Sequence, residues 1–205
     1  MKILRPLRPL FASFILLTAV TGIVYPLAVT GIGKIAFSHQ VNGSIIEKDG
    51  KVLGSTLIGQ NFSDPKNFWG RPSGAGTFAY NGLASGGANQ GPTNPALKTA
   101  IEDRIKALHE ADPENQLVIP VDLVTASASG LDPEISPAAA SYQVQRIAKA
   151  RGLKVDQVRD LIAQHTKEPQ LGLFGEARVN VLELNLALNQ VTKQVTKQIT
   201  KQITK

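Results

Sequence analysis

A chain of 205 residues has room for one folded domain plus an appendage, and a domain of about 150 residues can bury roughly two-thirds of its unfolded surface without covalent staples. It has no cysteine, which excludes disulfides, zinc–thiolate centres and thiol nucleophiles. The net charge of +6 belongs to the ends: Lys2, Arg5, Arg8, Lys193, Lys197, Lys201 and Lys205 lie outside residues 34–189, where 15 basic residues face all 16 acidic ones. The folded part is nearly neutral, so it lacks the basic face that nucleic-acid binding needs.

The first predicted element is a membrane span. From Pro9 to Gly33 no residue is charged, and as a helix this stretch reaches about 37 Å, enough to cross a hydrocarbon core of about 30 Å. Large apolar side chains fill it, among them Phe11, Phe14, Ile15, Leu16, Leu17, Val20, Ile23 and Val24. A cleaved signal peptide also starts basic, but its apolar run is shorter and ends at a small-x-small site that is not seen here. Three basic residues precede the span and only Lys34 closely follows it, so the positive-inside rule places the N-terminus in the cytoplasm and the domain outside. Gly22, Gly31, Gly33 and Pro26 suit a kinked helix that a partner helix can approach closely.

Short elements with turn punctuation follow. Ile45-Ile46, Asp49-Gly50 and Val52-Leu53 predict a hairpin on a two-residue turn, with Leu57 and Ile58 as a further stretch of its second strand. Asn61 to Pro95 is rich in Gly, Pro, Ser and Asn and reads as a functional loop or binding surface. Asn94-Pro95 caps a helix carrying Leu97, Ile101, Ile105 and Leu108, closed by Asp112-Pro113. Leu117 to Val124 reads as a buried strand with an edge or bulge at Pro120. Ser136-Pro137 opens a second helix, ended near Gly152, and Val155, Val158, Leu161 and Ile162 mark a third. Val179 to Leu188 fits a strand or, preferably, a helix with Val181, Leu184 and Leu188 on one face. The expected fold class is α+β: one N-terminal transmembrane helix followed by a small soluble α+β domain. The expected boundaries are 1–9 for a cytoplasmic start, 10–33 for the span, 34–189 for the soluble domain and 190–205 for a tail.

That tail is a four-residue repeat, QVTK, QVTK, QITK, QITK. It would form an apolar stripe if helical; a low-complexity solvated extension is the favoured reading.

Little in the chain announces chemistry. His39, His109 and His165 have no metal-spaced neighbours, and neither a nucleophile elbow nor a phosphate-binding Walker loop is present. The strongest candidate is the glycine-rich run Leu83 to Gln90, whose backbone N–H groups could cradle a phosphate or simply make a turn. Its wording is similar to the signature loop of ABC transporters. Trp69 beside Arg71 forms either a binding patch or a loop anchored by a buried indole.

Seven blocks in order then resemble one family: TGIVYPLAVTGI (Thr21 to Ile32), NGSII (Asn42 to Ile46), GSTLIGQNF (Gly54 to Phe62), GRPS (Gly70 to Ser73), YNGLASGGANQGPTNP (Tyr80 to Pro95), IPVDLVTASASGLDPEISPAAA (Ile119 to Ala140) and RVNVLELNLAL (Arg178 to Leu188). They resemble the C subunit of the bacterial Kdp high-affinity potassium-transporting P-type ATPase, from about Arg5 to Asn189. The resemblance implies a non-catalytic subunit in the bacterial inner membrane. Its implied partners are a potassium-channel-like subunit and a P-type ATPase subunit, with potassium as the substrate of the complex. It also implies a catalytic chaperone that raises the affinity of the ATPase subunit for ATP through a nucleotide loop mapping to Ser85, Gly86, Gly87, Asn89 and Gln90.

The two lines of reasoning conflict. A domain held outside by Lys2, Arg5 and Arg8 cannot bring Ser85 to Gln90 to cytoplasmic ATP. It would instead cap the channel-like subunit, stabilising the assembly or shaping potassium entry. An anchored extracytoplasmic hydrolase is a distant alternative, because no nucleophile–base pair is recognisable.

Overall fold

The structure, a computed structural model, describes residues 7–203, with side chains described as far as residue 197. The chain divides into two compact units, residues 1–45 and 46–205.

In the first unit, helix α1 (Leu7–Ala19) runs through a π-helical turn (Val20–Val24) into α2 (Tyr25–Ala36). The cause is local. Pro26 has no N–H to offer the carbonyl four residues back, and just before it the Tyr25 N–H reaches Val20 O, five residues away. Thr21 Oγ1 also donates to Leu17 O at 2.7 Å. The predicted kink at Pro26 therefore takes the form of a widened turn. The continuous apolar helix covers Leu7–Ala36, longer at both ends than residues 10–33, and none of its side chains is buried within the chain. A short turn, α3 (Ser38–Val41), follows it.

The second unit begins with the expected hairpin, β1 (Ile45–Lys48) and β2 (Lys51–Ser55). Asp49 (φ 53°) and Gly50 (φ 71°) supply the two left-handed positions of its turn. The second strand stops at Ser55, so Leu57 and Ile58 are not part of it and lie exposed. Residues 56–94 hold no helix or strand. Helix α4 (Pro95–Ala111) starts where expected, with the Asn94 side chain accepting the Ala96 N–H at 2.9 Å.

The strand expected over Leu117–Val124 does not form. Only a 3₁₀ turn at Val121–Leu123 is present, with Leu123 buried while Leu117, Val118 and Val121 face solvent. Pro120 supplies no donor, and this segment joins neither the hairpin nor the three-stranded antiparallel sheet of order β3–β5–β4. Its strands are β3 (Glu134–Ile135), β4 (Thr166–Lys167) and β5 (Arg178–Asn180), with Val179 opposite both Ile135 and Thr166.

The predicted second helix is split at Gln143 into α5 (Pro137–Tyr142) and α6 (Val144–Arg151). Ser136 Oγ caps the first by accepting the Ala139 N–H at 3.0 Å. Gly152, left-handed at φ 64°, ends the second, with the Leu153 N–H donating to Ala148 O. Helix α7 (Val155–His165) buries Val158, Leu161 and Ile162.

Helix α8 (Val181–Ile203) begins directly after β5, so both readings of Val179–Leu188 hold for part of it. Val181, Leu184 and Leu188 are buried as the helical spacing predicted, and they form one core with Ile135, Ile147, Val158 and Val179. The repeat is not a separate extension: α8 continues through it, and Val191 and Val195 pack against that core. Both extend the alternating three- and four-residue spacing of Val181, Leu184 and Leu188, which explains why the repeat stays helical.

Candidate functional site

Phe68 and Trp69 fix the long loop to the core. Neither belongs to a strand, yet both are paired as if they did. Asn185 on α8 accepts the Phe68 N–H at 2.8 Å and donates to Phe68 O at 3.0 Å. Gln143, at the α5–α6 break, does the same for Trp69, at 2.8 and 3.1 Å. Two buried carboxamides thus stand in for a neighbouring strand and satisfy four backbone groups that would otherwise be orphaned.

Arg146 completes this clamp. Its guanidinium lies 4.7 Å from the Trp69 ring centre and donates to Pro65 O, to Asn67 O at 3.1 Å and to Gln143 Oε1 at 2.6 Å. Burial pulls its pKa down to about 10, although Asp112, Asp64 and Tyr142 oppose that shift. The indole N–H donates to Asp64 O at 3.0 Å. Trp69 is therefore the buried anchor of the two readings, not an exposed binding patch.

Beyond Gly70 the loop builds the candidate surface. Arg71 pairs with Asp132 at 3.0 Å, and Tyr80 donates its hydroxyl to Arg71 O at 2.6 Å. Burial is the largest influence on Tyr80 and raises its pKa; it likewise lowers that of neighbouring Arg104. Ser73 Oγ donates to Gly130 O at 2.6 Å and accepts the Tyr80 N–H at 2.8 Å.

Ser85, Gly86, Gly87, Asn89 and Gln90 lie on one loop packed against residues 126–132. Gly86 N–H donates to Ser129 O at 2.8 Å, and Ser85 Oγ donates to the same oxygen at 3.1 Å. The glycines permit close backbone packing: a Cβ on Gly87 would come within 2.9 Å of Ala128 O. A Cβ on Gly130 (φ 67°) would come within 2.6 Å of both Gly86 O and Ala75 N. Gly86 itself has open space where a Cβ would be.

A phosphate cradle needs several convergent unpaired N–H groups and a nearby cation. The Gly86 N–H is already engaged and Arg71 is paired, while Arg104 is a cation near the loop at Tyr80. The loop instead offers solvent the polar side chains of Ser85 and Asn89 beside the exposed Phe78 and the fully exposed Leu83. Among the described residues, no group of three or more His, Asp and Glu side chains is placed to hold a metal ion.

Sequence reasoning located the loop but missed Gln143, Arg146 and Asn185, which hold it. Asn185 did carry a signal: it lies four residues after Val181 and three before Leu188, on an apolar helical face where an amide must find a partner.

Residues 7–190 match the family described as K+-transporting ATPase, c chain. Among similar proteins, a potassium-transporting ATPase KdpC subunit of Dechloromonas aromatica is 62% identical over 182 residues, covering 89% of this chain and 95% of the relative. KdpC subunits of Polaromonas naphthalenivorans and Ralstonia nicotianae are also 62% identical over 182 residues and 89% of this chain, covering 93% and 89% of those proteins. The matched region includes the apolar helix, the clamped loop and the core of α8, and on that extent the chain belongs to the c-chain family of the K+-transporting ATPases.

Proposed function

We propose that this chain is a non-catalytic accessory subunit of an ATP-driven potassium-import complex in the bacterial inner membrane. Its N-terminus is cytoplasmic and its domain extracytoplasmic, docked on the channel-like subunit, where it stabilises the assembly with the P-type ATPase subunit and can shape potassium entry. One observation carries the docking reading: the loop from Gly70 to Gln90 is braced from behind while Phe78 and Leu83 stay in solvent. Rigid, exposed apolar groups on a loop whose one charged residue, Arg71, is already paired suit protein contact, since little ordering entropy is lost on binding. The three basic residues before the span, against Lys34 alone shortly after it, support the orientation.

The second reading, by family resemblance, makes the chain a catalytic chaperone that raises ATP affinity through Ser85 to Gln90. The exposed side chains of Ser85 and Asn89 favour it, because they could meet a nucleotide without disturbing the fold. Topology separates the two. A protease added to spheroplasts should digest the domain, while inverted vesicles should protect it. Digestion in inverted vesicles alone would overturn the outside placement and favour direct nucleotide contact.

A further inference from the structure

Between β4 and β5 the chain makes an excursion that the docking loop does not use. Its tip, Gln170-Leu171-Gly172-Leu173-Phe174, exposes three large apolar side chains: Leu171 at 88%, Leu173 at 82% and Phe174 at 65%. No charged residue occurs from Pro169 to Gly175, whereas Lys167 and Glu168 precede the tip and Glu176 and Arg178 follow it. Leu171 (φ 55°) and Gly172 (φ 71°) are both left-handed, a conformation strained for leucine.

Four of the tip's backbone N–H groups are paired within the loop. Gln170 N–H and Phe174 N–H each donate to the other's carbonyl at 2.9 Å, Gly172 N–H donates to Pro169 O, and Leu173 N–H donates to Gln170 O. With four of its N–H groups paired inside the loop, the tip leaves water at a lower cost than an open loop would, which a lipid environment requires. The apolar side chains then favour transfer, with the flanking charges left at headgroup depth.

Which apolar phase meets the tip follows from connectivity. Only residues 37–45 join the apolar helix to residue 46, and nine residues reach on the order of 30 Å at most. A 160-residue unit has a radius of gyration of about 15 Å, so the tether leaves it within reach of the bilayer holding Leu7–Ala36. At such proximity even a weak apolar contact is well populated.

We propose that the Gln170–Phe174 tip is a bilayer anchor, inserting Leu171, Leu173 and Phe174 into the headgroup–acyl boundary of the membrane that holds the apolar helix. The proposal holds on whichever side of the membrane the domain lies, so its failure is distinct from failure of the orientation above.

The test uses the full chain carrying Leu173→Trp in vesicles of seven parts phosphatidylethanolamine to three parts phosphatidylglycerol, with and without bromine on the acyl chains. The one native tryptophan, Trp69, is buried and serves as the unquenched reference. The added indole should emit at short wavelength and lose about half or more of its emission to brominated lipid, as expected at the interface. Adding Leu171→Ser and Phe174→Ser should abolish that quenching. An added indole that is unquenched and water-like, or shielded only as protein concentration rises, would overturn the proposal; the latter would point to a second copy as occupant. Quenching that survives the two serines would overturn it as well.

Discussion

Asn185 and Gln143 show how much of this domain depends on single carboxamides. Each offers one acceptor and one donor at the spacing of a peptide group, so each can pair with a backbone segment that has no strand beside it. Asn185→Ala would remove two buried hydrogen bonds and leave the Phe68 amide and carbonyl unpaired. The expected loss is about 2–4 kcal/mol, given roughly 1 kcal/mol per bond plus the cost of orphaned groups. Urea unfolding of the full chain in detergent should show that loss as a lower midpoint, and Asn185→Asp should not restore it, because a carboxylate cannot donate to Phe68 O. At this scale the sequence was legible where chemistry is local: the Asn94 cap, the Asp49-Gly50 turn and the Gly152 stop depend on neighbours a few positions away. The clamp joins residues 117 and 74 positions apart, which no local pattern reveals.

Among the elements, periodicity predicted helices better than strands. Helices α4 and α7 follow their apolar spacing, whereas Leu117–Val124 has the composition of a strand but pairs with none. Strand formation needs a neighbour that composition does not specify. The repeat was misread for the opposite reason: its low complexity hid that Val191 and Val195 continue the buried face of α8. A chain ending at Gln190 should therefore lose stability by about 1–3 kcal/mol, the burial of two half-covered valines plus the fraying of a shortened helix end. It also loses Thr192, whose hydroxyl accepts from Arg151 at 3.3 Å. A chain ending at Lys197 keeps all of these contacts and should unfold within about 0.5 kcal/mol of the full chain. Thermal denaturation of the two truncations, followed by circular dichroism, distinguishes this packed helix from a solvated tail.

For the whole molecule, the division at residue 45 separates two kinds of stability. The core lies wholly within residues 46–205, so the soluble unit does not need the apolar helix to fold. The helix buries none of its own side chains, so its packing energy must come from lipid or a partner. A chain lacking residues 1–36 should remain folded by circular dichroism yet fail to co-purify with the potassium-transporting complex. Retention of co-purification would place the main assembly contact in the soluble unit. The fold class and the family were both readable from the sequence, because they rest on an apolar run and on seven ordered blocks. What the candidate loop presents was not, because that depends on which donors are already engaged, the Gly86 N–H by Ser129 O and the Ser73 hydroxyl by Gly130 O.

The widened turn at Val20–Val24 has one more consequence. A ring closed five residues back holds one residue more than the normal helical ring, so the side-chain phase slips by about 100° across it. A stripe traced along Leu7–Ala19 is not continued by the same angular face of Tyr25–Ala36. One helix thereby addresses two azimuths, one in each half of the bilayer, and can meet different neighbours in the two leaflets without bending away from either.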